Sequence, residues 1–241
     1  MLRVPARHLR EDELLREMLA DSPSGLWPLT EVSGTVAYDR SGNGRNGTYT
    51  STVNLGRRVG RVGAVDLAGG YVTVADAAAF SSHAGAGGLL TVDAWVRFDT
   101  LAAQMQVVSK GTSAQYEFDF RTGDTESTAL SAQMYSLAGS GLMATTQSAG
   151  QVAANTLYHL AFTYNRSAQL LTVYRNGVQM SQDTTSVGNT ADGTSALQIG
   201  RRADAAGTTL DGQIGYVGIY PTALSAARIA AHYAAGIRGT R

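Results

Sequence analysis

The stretch TLYHLAFTYNRSAQLLTVYRNGVQMSQDTT, residues 156–185, decides the fold. Tyr158, Leu160, Phe162 and Tyr164 alternate with His159, Ala161 and Thr163, the period-two pattern of a strand with one face in a core. A polar turn follows, and Leu171 and Val173 then share a face before Asn176-Gly177. Asn-Gly between apolar runs signals a two-residue hairpin, because both central positions of its turn need positive φ. The segment predicts three consecutive antiparallel strands.

Working outward, further strands are predicted over Leu90 to Phe98, Gln106 to Ser109, Tyr116 to Arg121, Leu130 to Ser136, Ala196 to Gly200 and Gln213 to Tyr220. So many half-apolar strands need a second layer, which two packed sheets provide. Ser225 can cap a short helix over Ala226 to Ala235, with Gly236 as its stop. At the other end, residues 7–20 read as a helix whose stripe is Leu14, Leu15, Met18 and Leu19, ended by Ser22 and Pro23. A lone helix of this length is marginal in water, so the stripe must rest on the following domain or on another molecule. The expected organisation is a docking segment over residues 1–23, one domain over 24–236 and a tail over 237–241.

The 19 basic and 19 acidic side chains cancel, which leaves no net field to gather nucleic acid or an anionic surface. Among the basic residues Lys110 is the only lysine, and there is no cysteine to form disulfides, thiolate nucleophiles or zinc-thiolate sites. No apolar run has the length of a signal-peptide core or a membrane span, so synthesis in the cytoplasm without a Sec route is expected, and no membrane insertion.

The chain resembles the LamG-like jelly-roll domains of the concanavalin A-like lectin/glucanase superfamily. The resemblance runs in order through Gly25-Leu26-Trp27-Pro28-Leu29, the segment Ala37 to Gly44 with Asn46-Gly47, Gly70-Tyr71-Val72-Thr73-Val74 and Leu90 to Val96. It continues through Val107 to Gly111, Tyr158 to Tyr164, Tyr174-Arg175-Asn176-Gly177, Leu197-Gln198-Ile199-Gly200 and Ala223-Leu224-Ser225. It implies an all-β, two-sheet antiparallel jelly-roll sandwich, with short N- and C-terminal helices here and terminal segments lying near each other. It does not fix a function, because this fold hosts lectins, hydrolases and structural modules.

Three places invite chemistry. The loop YDRSGNGRNGTY, residues 38–49, has neither a dinucleotide nor a P-loop pattern, but Asp39 and Asn43 offer the hard oxygens calcium prefers. The resemblance implies a second carboxylate in a G-x-I-D-x-V strand. That strand reads Gly212-Gln213-Ile214-Gly215-Tyr216-Val217, leaving Asp211 as the nearby carboxylate, so a metal-free turn whose Asp39 and Asn43 side chains bond local backbone is favoured over a weak calcium site of Asp39, Asn43 and Asp211. Second, Glu117 and Asp119 share a strand face by alternation and resemble part of a glucanase E-x-D-x-x-E motif. The acid's place is Thr122, and the tighter variant would need one at Arg121, so an exposed, non-catalytic face with Arg121 as ion-pair neighbour is expected. Third, Tyr116, Tyr135, Arg201 and Arg202 could present planar and polar groups to a sugar. The four histidines, His8, His83, His159 and His232, lack metal-ligand spacing, and His159 reads as a partly buried strand residue.

These readings favour a non-enzymatic bacteriophage virion component of the tail, baseplate or capsid surface. Its leading helix would dock to other virion proteins, and its jelly-roll would oligomerise or adhere to a cell-surface glycan. A secreted carbohydrate-binding module and a glucanase-like hydrolase are the alternatives.

Overall fold

Alternating strands bury their apolar faces only by stacking, and the chain forms two antiparallel sheets with a shared core. The computed structural model describes residues 8–84, 87–112, 115–136, 142–146, 150–184, 190, 192–203 and 209–238. In chain order the elements are α1 (His8–Leu19), β1 (Gly25–Trp27), β2 (Val36–Ala37), β3 (Gly47–Thr50), β4 (Asn54–Val59), β5 (Val62–Asp66) and β6 (Tyr71–Val74). There follow β7 (Leu89–Phe98), β8 (Gln106–Thr112), β9 (Gln115–Thr122), β10 (Leu130–Tyr135), β11 (Leu142–Thr146), β12 (Leu157–Asn165) and β13 (Leu170–Arg175). The last are β14 (Val178–Asp183), β15 (Leu197–Ile199), β16 (Gly212–Tyr220) and α2 (Ala226–Ile237). No described helix is long and apolar enough to cross a membrane.

The first sheet runs β14-β13-β12-β7-β16-β5-β4, with β1 beside β16; the second runs β11-β10-β9-β8-β15-β6-β3-β2. Tyr158, Leu160, Phe162 and Tyr164 all enter the core between the sheets, where they meet Phe118, Phe120 and Val173. The predicted hairpin is present: Asn176 and Gly177 have φ of 53° and 77° and join β13 to β14.

The other face of β12 is buried as well, because both helices lie across the outer side of the first sheet. Leu14 and Met18 pack with Leu26, Val62, Trp95, Tyr216 and Ala235, with Leu15 and Leu19 against the same cluster. The expected docking stripe is thus covered by its own domain. Trp95, Val62 and Tyr216 project outward from the first sheet and need an apolar cover, and a helix too short to stand alone supplies it. The terminal segments meet here: Arg228 bonds Asp21 at 2.9 Å and Glu17 at 2.7 Å, and Arg238 reaches Glu13 at 2.6 Å.

Ser225 caps α2 by accepting from the Arg228 N–H at 3.3 Å. Gly236 is not the helix stop, since α2 runs on to Ile237. Its role is close approach: a Cβ there would stand 2.0 Å from Trp95, whose ring stacks on Tyr233 at 5.9 Å.

Candidate functional site

The middle strands of the second sheet bring the sugar-type residues together. On β9, Phe118 and Phe120 point into the core, while Asp119 shares its level with Ser109 on β8 and Gln133 on β10. The Tyr135 hydroxyl lies 3.0 Å from Asp119 Oδ2 and 2.6 Å from Gln133 Oε1. Burial, reinforced by the Asp119 carboxylate, pushes the ionisation of that hydroxyl far above its ordinary range, so it remains a donor. The Tyr116 and Tyr135 rings stand 5.0 Å apart, and the Arg202 guanidinium lies 5.2 Å from the Tyr116 centroid. Arg201 is set apart, over Tyr71 at 4.6 Å.

Tyr116, Tyr135 and Arg202 are half-buried, whereas Asp119 beneath them is fully buried. Arg121 beside it is 3% exposed, and its Nε and Nη1 find no hydrogen-bond acceptor among the described residues. Its Nη2 pairs with Asp124 at 2.7 Å. Half-open aromatic faces over a buried polar floor suit a hydroxyl-rich, flat-faced ligand.

The expected exposed face at Glu117 is not found. Lys110 pairs with Phe118 and Gly111 with Tyr116, so Glu117 is an extra residue in a β-bulge and alternation fails there. Glu117 turns to the Lys110 ammonium, accepts from Ser81 Oγ at 2.6 Å and accepts from the Gly193 N–H at 3.1 Å. Lys110 also bonds Asp76 at 2.8 Å and the Gly193 carbonyl at 3.0 Å. Burial raises the Glu117 carboxyl above its ordinary range, against the pull of Lys110 and Ser81. Glu117 and Asp119 therefore serve different neighbours, and they do not flank a common space as glycosidase carboxylates must.

The structure does not bring the three candidate calcium residues together. Asp39 Oδ1 accepts from the N–H groups of Leu26 (3.0 Å) and Ser41 (2.8 Å), and Oδ2 accepts from Ser41 Oγ and the Arg45 N–H, both 2.9 Å. Asn43 turns its NH2 to the carbonyls of Pro23 (3.1 Å) and Ser24 (3.2 Å). Asp211 is elsewhere, accepting from Thr100 Oγ1 at 2.5 Å beside the start of β16. Leu26 pairs with Gly218, six residues beyond Gly212, and about 3.3 Å per residue puts the two carboxylates on the order of 20 Å apart. Nor could an aspartate replace Gly215, where a Cβ would stand 2.2 Å from the Gly63 carbonyl oxygen. Millimolar calcium is expected to leave the melting temperature unchanged, while Asp39→Ala, stripping four donors of their acceptor, lowers stability by about 1–3 kcal/mol in chemical denaturation.

A second cluster, under the helices, had no signal in the sequence because its members come from three separate elements. His159 on β12 is fully buried, with Nε2 2.6 Å from Asp93 Oδ1 on β7. His232 on α2 sets Nδ1 2.6 Å from Asp93 Oδ2 and Nε2 2.8 Å from Asp21 Oδ2. Burial opposes charge on Asp93 and His232 alike, but their partners outweigh it, lowering the Asp93 pKa and raising that of His232. Elsewhere, Thr30, Glu31, Val32, Ser33, Tyr38 and Arg40 line an open groove of about 300 Å³.

The solved structures most similar in shape include the binding domain of Paraclostridial Mosquitocidal Protein 1, with TM-score 0.68 and 17% identity over 89% of this chain and 52% of that one. The binding domain of Botulinum Neurotoxin DC in complex with SialylT has TM-score 0.69 and 13% identity, over 90% and 52%. The same toxin's binding domain in complex with rat synaptotagmin II has TM-score 0.69 and 13% identity, over 91% and 53%. The chain thus spans about half the length of these structures, and at such identities the likeness is one of fold. No curated relative matches the sequence. A laminin-G family model, described as concanavalin A-like lectin/glucanases superfamily, matches residues 66–230. With that match over most of its length and the two-sheet sandwich to go with it, the chain belongs to the concanavalin A-like lectin/glucanase superfamily.

Proposed function

We propose that this chain is a non-enzymatic, lectin-like binding domain that holds a saccharide against Tyr116, Tyr135 and Arg202. The observation that carries the reading is the half-open Tyr116–Tyr135 pair, flanked by Arg202 and floored by Asp119 and Arg121. An aromatic ring takes the apolar face of a sugar, while guanidinium, hydroxyl and carboxylate groups fix its hydroxyls. The fold neighbour bound to SialylT supports the choice of a glycan. Catalysis is left out because Glu117, the carboxylate the sequence paired with Asp119, is committed instead to Lys110, Ser81 and Gly193. A wider setting as an adhesion module on a bacteriophage particle, beside other virion proteins and copies of itself, would need a docking surface other than the covered Leu14–Leu19 stripe.

A glycan array probed with the whole chain tests the proposal. Retention of a defined saccharide class is expected, with at least about tenfold weaker binding by Tyr116→Ala and by Arg202→Ala at unchanged melting temperature, a loss of about 1.4 kcal/mol. An array without retained glycans, or equal binding by both variants, would sink the reading.

A further inference from the structure

We propose that Asp93, His159 and His232 form a site for one divalent transition metal ion, zinc by its donor set, that rivets the C-terminal helix to the first sheet. Their ligand atoms lie within 4.8 Å of one another, and all three side chains are fully buried. Zinc takes imidazole nitrogen at about 2.0–2.1 Å and carboxylate oxygen at about 2.0–2.2 Å, so small side-chain rotations would close this set on a single ion.

Hydrogen bonding alone leaves the cluster unfinished. His159 Nε2 and Asp93 Oδ1 are 2.6 Å apart, yet neither completes an aligned hydrogen bond, and His159 Nδ1 has no partner among the described residues. The Tyr220 hydroxyl is a further buried group without one among those residues. It lies over Gly218, 2.7 Å from where a Cβ would stand, and Gly218 is the register partner of Asp93. Buried polar atoms are rarely left unsatisfied, and several gathered at one place point to a missing shared partner. A cation accepts the lone pairs of Asp93 and His159 together, and the fourth position falls to water or to Tyr220.

His232 is prepared for the same task. With Nδ1 directed at the cluster, its Nε2 meets Asp21 Oδ2 at 2.8 Å, and Arg228 Nε holds that carboxylate at 2.9 and 3.0 Å. A carboxylate on the far nitrogen is how metal-bound imidazoles are oriented and made more basic. Asp93 and Asp21 also supply two negative charges against the ion's two positive ones.

The test uses the tag-free whole chain, stripped with chelator and titrated with Zn2+ and with Co2+. Uptake of one equivalent per chain, a rise in melting temperature with zinc, and visible absorption of cobalt in a nitrogen–oxygen site are expected. His159→Gln and His232→Gln should each weaken uptake by at least tenfold. Stoichiometric uptake retained by His159→Gln would overturn the proposal. If the variants do not fold, the wild type decides by itself: no stoichiometric uptake and no thermal shift mean a purely hydrogen-bonded cluster.

Discussion

Replacing Lys110 with Met is expected to lower folding stability by about 3–5 kcal/mol, the cost of leaving a buried carboxylate without its counter-charge. Lys110 and Glu117 are both fully buried, and the same ammonium holds Asp76 and the Gly193 carbonyl. The substitution therefore strands Glu117 and releases two connecting segments from the sheet at once. Urea unfolding of the wild type and variant measures the loss. Because the pair gives little net gain over apolar packing, the double variant Lys110→Met/Glu117→Leu should recover most of it. A loss below about 1 kcal/mol in the single variant would show that Glu117 finds relief elsewhere.

Met18→Ala should cost about 2–5 kcal/mol, since Met18 is fully buried beneath the helix that covers Trp95. Deleting residues 1–23 should do more damage. It uncovers Val62, Trp95 and Tyr216 and removes Asp21 from both His232 and Arg228. Size-exclusion chromatography and thermal melting of the truncated chain are expected to show aggregation and a large fall in melting temperature. A soluble truncated domain with the wild-type melting temperature would return the Leu14–Leu19 stripe to an external docking role.

The central hairpin was legible because its signals agree: Tyr158 to Tyr164 alternate, and Asn176-Gly177 has the turn chemistry its φ values require. The hairpin of β4 and β5 was not, because Arg57 is exposed and Arg58 half-buried at a sheet edge, and Gly56, Gly60 and Gly63 interrupt any apolar rhythm. The alternation of His159, Ala161 and Thr163 suggested a wet face, but two helices dry it, a tertiary fact with no local sign. At the candidate site, Tyr116, Tyr135 and Arg202 were readable as residue types, whereas their meeting depends on strand register. Glu117 was misplaced for one reason: a bulge inverts the side on which a side chain emerges, and nothing in Gln115 to Thr122 announces it. Asp39 was read correctly as a turn-region acceptor, but its four donors come partly from Leu26 and Arg45, which its spacing to Gly215 could not reveal.

The saccharide site is tested most directly by following the tyrosine ring signals of the ring-labelled protein by NMR, as a glycan retained on the array is added. Saturable shifts are predicted for Tyr116 and Tyr135, with Tyr38 in the separate groove it lines with Glu31 and Arg40 unmoved; shifts at Tyr38 alone, or at none of the three, would contradict the site.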